Sequence, residues 1–182
     1  VKGRVFKDLP RTHWAASYIK AAQDLGLVKG YPDGTFKPNS KINRNEGVMV
    51  MARFGGLIPP ERVLERPYKD VQVDHWAATM ITAAKDAGYL AYLEKEVFEG
   101  RKGLSRAEAA EILGKTSFGK AKIDNLLDFE IGFEEVTAEA KAAVKLISFV
   151  DIGEGYWAKK PIEELATVRI ISGYPDGSFK PD

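Results

Sequence analysis

The sequence predicts a mainly helical chain built from tandem helix-loop-helix units. First, all three tryptophans share one frame, each six residues after an aspartate and directly before an alanine. Second, a Gly-Tyr-Pro-Asp-Gly sequence begins sixteen residues after two of them. Third, apolar residues beyond the first two tryptophans recur at helical spacing. The tryptophans are Trp14, Trp76 and Trp157.

The repeated frame divides the chain into two complete units and a third, incomplete one. The second unit aligns with the first at a shift of 62 residues, and the third follows 81 residues later, which leaves 19 extra residues between them. We therefore predict units at residues 1–57 and 58–117, an inserted helical segment at 118–148, and a truncated third unit at 149–182.

The first helix of each unit is predicted from an apolar stripe that starts at the tryptophan. Its spacing of i, i+4, i+7, i+8 and i+11 places the stripe on one helix face. Gly26 and Gly88 stand where a helix-ending residue belongs. In the third unit Pro161 occupies a stripe position, so we expect that helix to begin later, with Pro161 in its first turn. The stripe of unit one is Trp14, Tyr18, Ala21, Ala22 and Leu25.

A loop with a tight turn follows the first helix. Tyr-Pro-Asp-Gly occupies residues 31–34 and 174–177, and its proline and glycine favour such a turn. Unit two has Leu-Glu-Lys-Glu at 93–96 instead, so the turn is lost there. In the inserted segment we expect helices at 120–129 and 137–147.

The second helix is predicted to begin with a capping box. Asn43 and Ser105 are each followed three residues later by glutamate, so side chain and backbone can satisfy each other's hydrogen bonds. An arginine, Arg44 or Arg106, then occupies the first helical position. The predicted buried face comprises Val48, Met51, Ala52, Ala110, Leu113 and Gly114.

The composition excludes several classes of protein. Hydrophobic residues make up 45% and charged residues 29%, the balance of a globular chain, and the net charge of +1 disfavours non-specific nucleic-acid binding. No apolar stretch approaches the roughly 18 residues that span a bilayer. The first residues show no signal-peptide pattern. Cysteine is absent, which removes disulfides and thiolate chemistry and is compatible with export.

The two arginines are the main candidates for ligand binding. A helix start carries a partial positive charge, so a cation there is unfavourable unless an anion compensates it. A guanidinium beside free backbone N–H groups is a good receptor for a carboxylate. The alternative is that Arg44 and Arg106 pair with Glu46, with Glu108 or with a neighbouring unit.

The aromatic and acidic candidates have structural alternatives too. A tryptophan at the start of an amphipathic helix is usually a core anchor, although its ring can also stack on a sugar. Tyr31 and Tyr174 lie on turns and are better candidates for exposed stacking. Asp33 and Asp176 can bind sugar hydroxyls or a cation, but aspartates often simply form turns.

No catalytic, metal or cofactor site is evident. His13 and His75 precede tryptophans in the same frame, and two histidines without a third ligand are a weak metal site. Neither a phosphate-binding glycine loop nor a dinucleotide fingerprint is present. We therefore expect no enzyme activity and no cofactor.

The repeated motifs resemble the S-layer homology family. The resemblance rests on Phe-Lys-Asp followed by His13-Trp14-Ala15, on two copies of Gly-Tyr-Pro-Asp-Gly-x-Phe-x-Pro, and on Arg-x-Glu in the second helix. It implies three modules in one pseudo-threefold unit that anchors exported proteins to the bacterial cell surface without covalent attachment.

The ligand that the resemblance implies is a cell-wall polysaccharide, or a peptidoglycan-linked polymer, that carries a pyruvate ketal. The motif arginine would hold the ketal carboxylate in a groove between modules. Arg44 and Arg106 are thus the carboxylate candidates; the groove or core aromatics are Trp14, Trp76 and Trp157; and the groove walls are Asp33, Gly34, Asp176 and Gly177.

Departures from the family pattern limit the number of expected sites. Unit two lacks the turn and unit three lacks its arginine helix within this chain, so we expect one or two active grooves. Two alternatives stay open. The chain can be a structural module that packs against envelope proteins or its own copies, or it can be the anchor of a larger envelope enzyme.

Overall fold

The part of the chain that the structure describes is helical, as predicted. The structure is a computed structural model that describes residues 6–93, 95–129 and 145–182. In these ranges the only β pairing is an isolated bridge between Asn43 and Gly103. None of the helices there is long and apolar enough to cross a bilayer. The helices are α1 (Ala16–Asp24), α2 (Arg44–Phe54), α3 (Ala78–Asp86), α4 (Arg106–Lys115), α5 (Ser117–Phe129) and α6 (Lys159–Thr167).

The first helix of every unit begins two residues after its tryptophan, at Ala16, Ala78 and Lys159. The expectation of a later start in unit three is therefore wrong. Pro161 is the third residue of α6, within the first turn as predicted, where an N–H group has no helical partner to lose. Proline thus fits this position without moving the helix start.

The apolar stripe of unit one is largely exposed to solvent, although such a stripe usually faces a protein core. Trp14, Tyr18 and Leu25 are 80%, 72% and 74% exposed. Since Trp14 precedes the helix, helical periodicity does not orient it. Ala15 and Ile19 are buried instead. Their buried equivalents in the other units are Ala77, Ile81, Ala158 and Ile162.

An aspartate shapes the phenylalanine loop of each unit (residues 36–38, 98–100 and 179–181). The Asp8 carboxylate accepts the backbone N–H groups of Phe36 and Lys37 at 2.8 and 2.7 Å. Lys37 has a positive φ of 58°, a disfavoured conformation that these two charged hydrogen bonds help to stabilise. The same bonds join Asp70 to Phe98 and Glu99, and Asp151 to Phe179 and Lys180.

Successive units contact each other through the start of the second helix. The Asn45 N–H donates to the Gly100 carbonyl at 3.0 Å, and the Ala107 N–H donates to the Pro181 carbonyl at 2.9 Å. In addition, α2 packs on α3 and α4 packs on α6. The same contact thus recurs between units one and two and between units two and three. The pseudo-threefold arrangement and the unit boundaries stay predictions.

The predicted caps and turns are present. Both capping boxes form, and Val48, Ala52 and Ala110 are buried on the faces of α2 and α4. The turns end on Gly34 and Gly177, whose φ angles are 82° and 81°. Unit two lacks this turn, and its loop is closed by a backbone hydrogen bond from the Lys69 N–H to the Glu96 carbonyl.

The inserted segment is described only in part. Helix α5 (Ser117–Phe129) confirms the helix predicted at 120–129. Most of the second predicted helix, at 137–147, lies outside the described residues. Its last three positions, 145–147, are described and are not helical.

We predict that acid weakens the fold through Asp8 and Asp151, the loop aspartates whose pKa is lowered by backbone hydrogen bonds. The Phe179 N–H lowers the pKa of Asp151 below its ordinary value of 3.8. A lowered pKa contributes stability that is present above the unfolded value and is lost as the pH falls below it. The melting temperature should therefore fall between about pH 5 and pH 3. Asp151→Asn should melt lower at neutral pH and depend less on pH in this window; an unchanged pH profile would contradict the role of Asp151.

Candidate ligand-binding grooves

Arg44 is a buried, internally paired cation rather than a free one. It is the first residue of α2 and only 2% exposed. Its Nη1 donates to the Phe98 carbonyl, and its Nη2 donates to the Glu108 carboxylate, itself buried. The Glu99 carboxylate lies 3.7 Å from Nη1. Pairing with a neighbouring unit, one of the alternatives above, is therefore the arrangement that Arg44 adopts.

Arg106 occupies the equivalent position in α4 but is exposed to solvent. Its Nε and Nη2 donate to the Phe179 and Ser172 carbonyls, each at 2.9 Å. The guanidinium lies 4.3 Å from the Phe179 ring centroid and 5.3 Å from that of Tyr174. No carboxylate in the described part of the chain forms a salt bridge with it. In this chain, the positive charge of Arg106 is thus available to a bound ligand.

A groove of 550 Å³, here the Arg106 groove, adjoins this guanidinium. Among the described residues, Arg106 and Arg169 are the cations of its lining, and none of the lining residues is a carboxylate. Phe149, Ile170 and Ile171 form apolar walls. The arrangement can neutralise an anion and shield part of it from water.

A second groove of 610 Å³, here the Arg44 groove, brings together residues from all three units. Arg44 comes from unit one, Tyr92 from unit two and Trp157 from unit three. The Tyr92 and Trp157 rings are stacked, 5.2 Å apart between centroids and 19° between planes. Its charged lining residues are Arg44, Lys95, Lys102, Lys115, Glu99, Glu108 and Glu111.

The tryptophans are not core anchors, which corrects the more usual reading of their positions. Trp14, Trp76 and Trp157 are 80%, 61% and 50% exposed. Trp14 and Trp76 lie against the neighbouring histidines, and neither lines the Arg44 groove or the Arg106 groove. Among the three, only Trp157 is brought next to a candidate arginine.

Two residues of the turn in unit one have internal partners. The Tyr31 hydroxyl donates to the Glu46 carboxylate at 2.7 Å, which raises the pKa of Tyr31. The Asp33 carboxylate accepts the hydroxyl and the backbone N–H of Thr35 at 2.6 and 2.9 Å, and the hydroxyl bond is the main cause of its lowered pKa. If Gly34 were replaced by a residue with a side chain, its Cβ atom would lie 3.1 Å from the Lys7 side chain. These residues shape the turn and line neither the Arg44 nor the Arg106 groove.

The turn in unit three differs because its tyrosine contacts a candidate arginine. Tyr174 is 43% exposed and lies under the Arg106 guanidinium. Asp176 accepts the Ser178 hydroxyl and N–H, the first of which is the main cause of its lowered pKa, and so repeats the turn geometry of unit one. Gly177 completes the turn.

The two histidines have structural roles. Nδ1 of His13 accepts the Ala15 N–H at 3.2 Å, and Nδ1 of His75 accepts the Ala77 N–H at 3.3 Å. Within residues 6–93, 95–129 and 145–182, no group of three or more His, Cys, Asp or Glu residues could hold a metal ion.

Sequence reasoning missed Tyr92 and Arg169, and both replace a glycine of the repeat. Tyr92 aligns with Gly30 and Gly173, and Arg169 aligns with Gly26 and Gly88. A bulky residue at a repeat's glycine position is a signal that the sequence does contain.

We predict that removing the Arg44 guanidinium destabilises the fold. Arg44→Met leaves the buried Glu108 carboxylate without its cation, at a cost of about 3–5 kcal/mol in unfolding free energy. Arg106→Met, the matched control, breaks exposed bonds and should cost about 1 kcal/mol. Urea denaturation measures both, and Glu108→Gln should recover part of the loss in the Arg44→Met background. Equal losses in the two single variants would contradict the burial of this ion pair.

The chain is similar to proteins of bacterial cell surfaces. It is 32% identical over 155 residues to cell surface glycoprotein 1 of Acetivibrio thermocellus, covering 85% of this chain and 6% of that protein. It is 29% identical to the cellulosome-anchoring protein of the same organism, covering 85% of this chain and 31% of that one. S-layer protein EA1 of Bacillus anthracis is 28% identical, with coverage of 84% and 18%.

The chain spans less than a third of each of these relatives. The names of these relatives describe cell-surface proteins, which indicates the cell-surface location that the sequence predicts. Residues 5–46 and 148–182 match the S-layer homology domain family. The resemblance to the S-layer homology family that the repeated motifs predict is therefore confirmed at these two segments.

Proposed function

We propose that the chain is a non-catalytic anchoring module that binds an anionic cell-wall polysaccharide through the Arg106 groove. The anchoring role is supported by relatives whose names describe an anchoring protein and S-layer proteins. The anionic ligand is supported by the charge of this groove, whose lining in the part of the chain that the structure describes contains two arginines and no carboxylate. That charge imbalance is the observation that carries the proposal.

The Arg106 guanidinium suits a compact carboxylate such as that of a pyruvate ketal. The carbonyls of Phe179 and Ser172 orient it through Nε and Nη2. Five N–H donors belong to each guanidinium, so donors remain for a carboxylate of the ligand. The partly exposed ring of Tyr174 lies beside the cation and offers a surface for an adjacent sugar.

Arg169 adds a second, independent reason to favour an anion in this groove. Its backbone has a φ of 60° at a position where the other units have glycine. A side chain in this left-handed conformation costs on the order of 1 kcal/mol. Retaining an arginine there is explained if its charge serves ligand binding.

We predict that Arg106→Ala weakens retention of the chain on purified cell-wall sacculi. The loss of a charged hydrogen bond should reduce affinity about 10- to 100-fold, and added salt should weaken the binding of the parent chain. Arg62→Ala removes another exposed arginine, in the loop between α2 and α3, and serves as the matched control. Sedimentation with the sacculi measures retention. Binding that survives both Arg106→Ala and chemical removal of the pyruvate ketals would favour the alternative of a structural packing module.

We predict opposite effects of Arg169→Gly on stability and on binding. Glycine relieves the left-handed strain, so the free energy of unfolding should rise by about 0.5–1 kcal/mol. Retention on sacculi should fall because the groove loses a cation. Denaturation and sedimentation of the same preparation measure the two effects. A variant that is more stable and binds as well as the parent chain would show that Arg169 has no role in binding.

A further inference from the structure

The contact between units one and two contains another cavity, of 520 Å³, here the Asn45 cavity. Small-ligand sites in proteins combine apolar walls with a few polar groups, and this cavity has both. Val71 and Phe98 supply apolar surface. The polar and charged residues that line it include Asn45, Asp70, His75, Glu99, Arg101 and Lys102.

Asn45 presents an unpaired amide group to this cavity. The residue is only 8% exposed, yet its side chain forms no hydrogen bond within the described part of the chain. In that part, the unpaired side-chain polar atoms that are fully covered belong to Arg44 and Tyr92. The amide atoms of Asn45 are not among them, so they are open at the cavity surface. A ligand with both a donor and an acceptor can pair with this amide.

The contact between units does not require the Asn45 amide. Asn45 binds the Gly100 carbonyl through its backbone N–H, and Ala107 makes the same backbone bond to Pro181 without a polar side chain. A Cβ atom at Gly100 would overlap the Asn45 amide, so the glycine leaves the room that this amide occupies. The polar side chain is therefore an addition to the contact, and a ligand in the cavity explains it.

His75 supplies a further donor to the cavity. Its Nδ1 accepts the Ala77 N–H at 3.3 Å, so the proton of the neutral ring is on Nε2. Within the described residues Nε2 has no hydrogen-bond partner. This N–H can therefore donate to a carbonyl or carboxylate oxygen of a ligand.

The charges of the cavity that lack internal partners are positive. Arg101 and Lys102 form no salt bridge with any carboxylate that the structure describes. The Asp70 carboxylate already accepts two backbone N–H groups, and that of Glu99 lies 3.7 Å from Nη1 of Arg44. Two cations thus remain for an anion, whereas both carboxylates are engaged.

A peptide that ends in a free carboxylate matches these groups. The N–H and C=O of a peptide group can form two hydrogen bonds with Oδ1 and Nδ2 of Asn45. The carboxylate can accept the His75 N–H and bind the neighbouring cations through charged hydrogen bonds. A simple anion would leave the Asn45 amide unpaired, so the amide and the cations together favour a peptide.

We propose that the Asn45 cavity binds the carboxyl end of a short peptide. Asn45 pairs with the last peptide group, and His75, Arg101 and Lys102 hold the terminal carboxylate. This inference goes beyond the proposed function, because the ligand is a peptide rather than a polysaccharide. It does not depend on the Arg106 groove.

The test is an NMR titration at constant pH that follows the ring signals of the two histidines. The probe is N-acetyl-alanyl-alanine in its L,L and D,D forms, whose comparison gives the configuration that the cavity accepts. We expect at least one form to shift the His75 signals, while His13, the equivalent residue of unit one, stays unchanged. The C-terminal amide of the probe and acetate each lack one recognised group and should bind roughly 10-fold more weakly.

Three variants separate the contributions to binding. Asn45→Ala introduces the residue that α4 has at the equivalent position and should weaken dipeptide binding roughly 10-fold through the loss of two hydrogen bonds. Arg101→Ala should weaken it roughly 3- to 10-fold and reduce its salt dependence. Arg62→Ala removes an exposed arginine outside the cavity and should leave binding unchanged. Thermal melting establishes that each variant folds.

Unmoved His75 signals with both forms of the dipeptide would overturn this site. Equal affinity for the dipeptide and for acetate, or equal affinity in Asn45→Ala and the parent chain, would also overturn it, because surface cations alone would then account for binding. Retention of Arg106→Ala on sacculi tests the Arg106 groove separately, so either proposal can fail while the other stands.

Discussion

The contact between successive units depends on one short loop that an aspartate shapes and an arginine binds. The carboxylate accepts the N–H of the loop phenylalanine, and the arginine of the preceding unit donates to the carbonyl of the same residue. Asp70 and Asp151 therefore hold the backbone that Arg44 and Arg106 recognise. The arginine stands at a helix start, against the preference of the helix dipole, because the carbonyl groups of the next unit compensate its charge. The contact between units therefore explains why the repeat contains this aspartate and this arginine, without reference to any ligand.

The same arginine position supports two different roles once the loop contact is made. Arg44 is covered and paired with Glu108, so its charge serves the packing of units one and two. Arg106 binds the carbonyl of the equivalent phenylalanine, Phe179, but stays exposed and lines the same groove as the strained Arg169. One repeated motif therefore produces a covered arginine at the first contact between units and an exposed arginine at the second.

The features set by neighbouring residues could be predicted from the sequence, and those set by distant residues could not. The capping boxes, the glycine turns and the arginine at the first helical position are local, and all are present. The pairing of Arg44 with Glu108 joins residues 64 positions apart and leaves no local pattern. The burial of Trp14 could not be predicted from helical periodicity, because the helix begins two residues after Trp14. Tyr92 and Arg169 could not be predicted from the features that the units share, because both stand at positions where the units differ.

The most direct measurement of the division between the two arginines uses the Nε–Hε NMR signals of their guanidinium groups. The chain is titrated with cell-wall polymer that either carries or lacks pyruvate ketals. We expect the Arg106 signal to move only when the ketal is present, whereas the signal of the covered Arg44 should stay unchanged with both polymers. A ketal-dependent shift at Arg44, with none at Arg106, would contradict the division of roles.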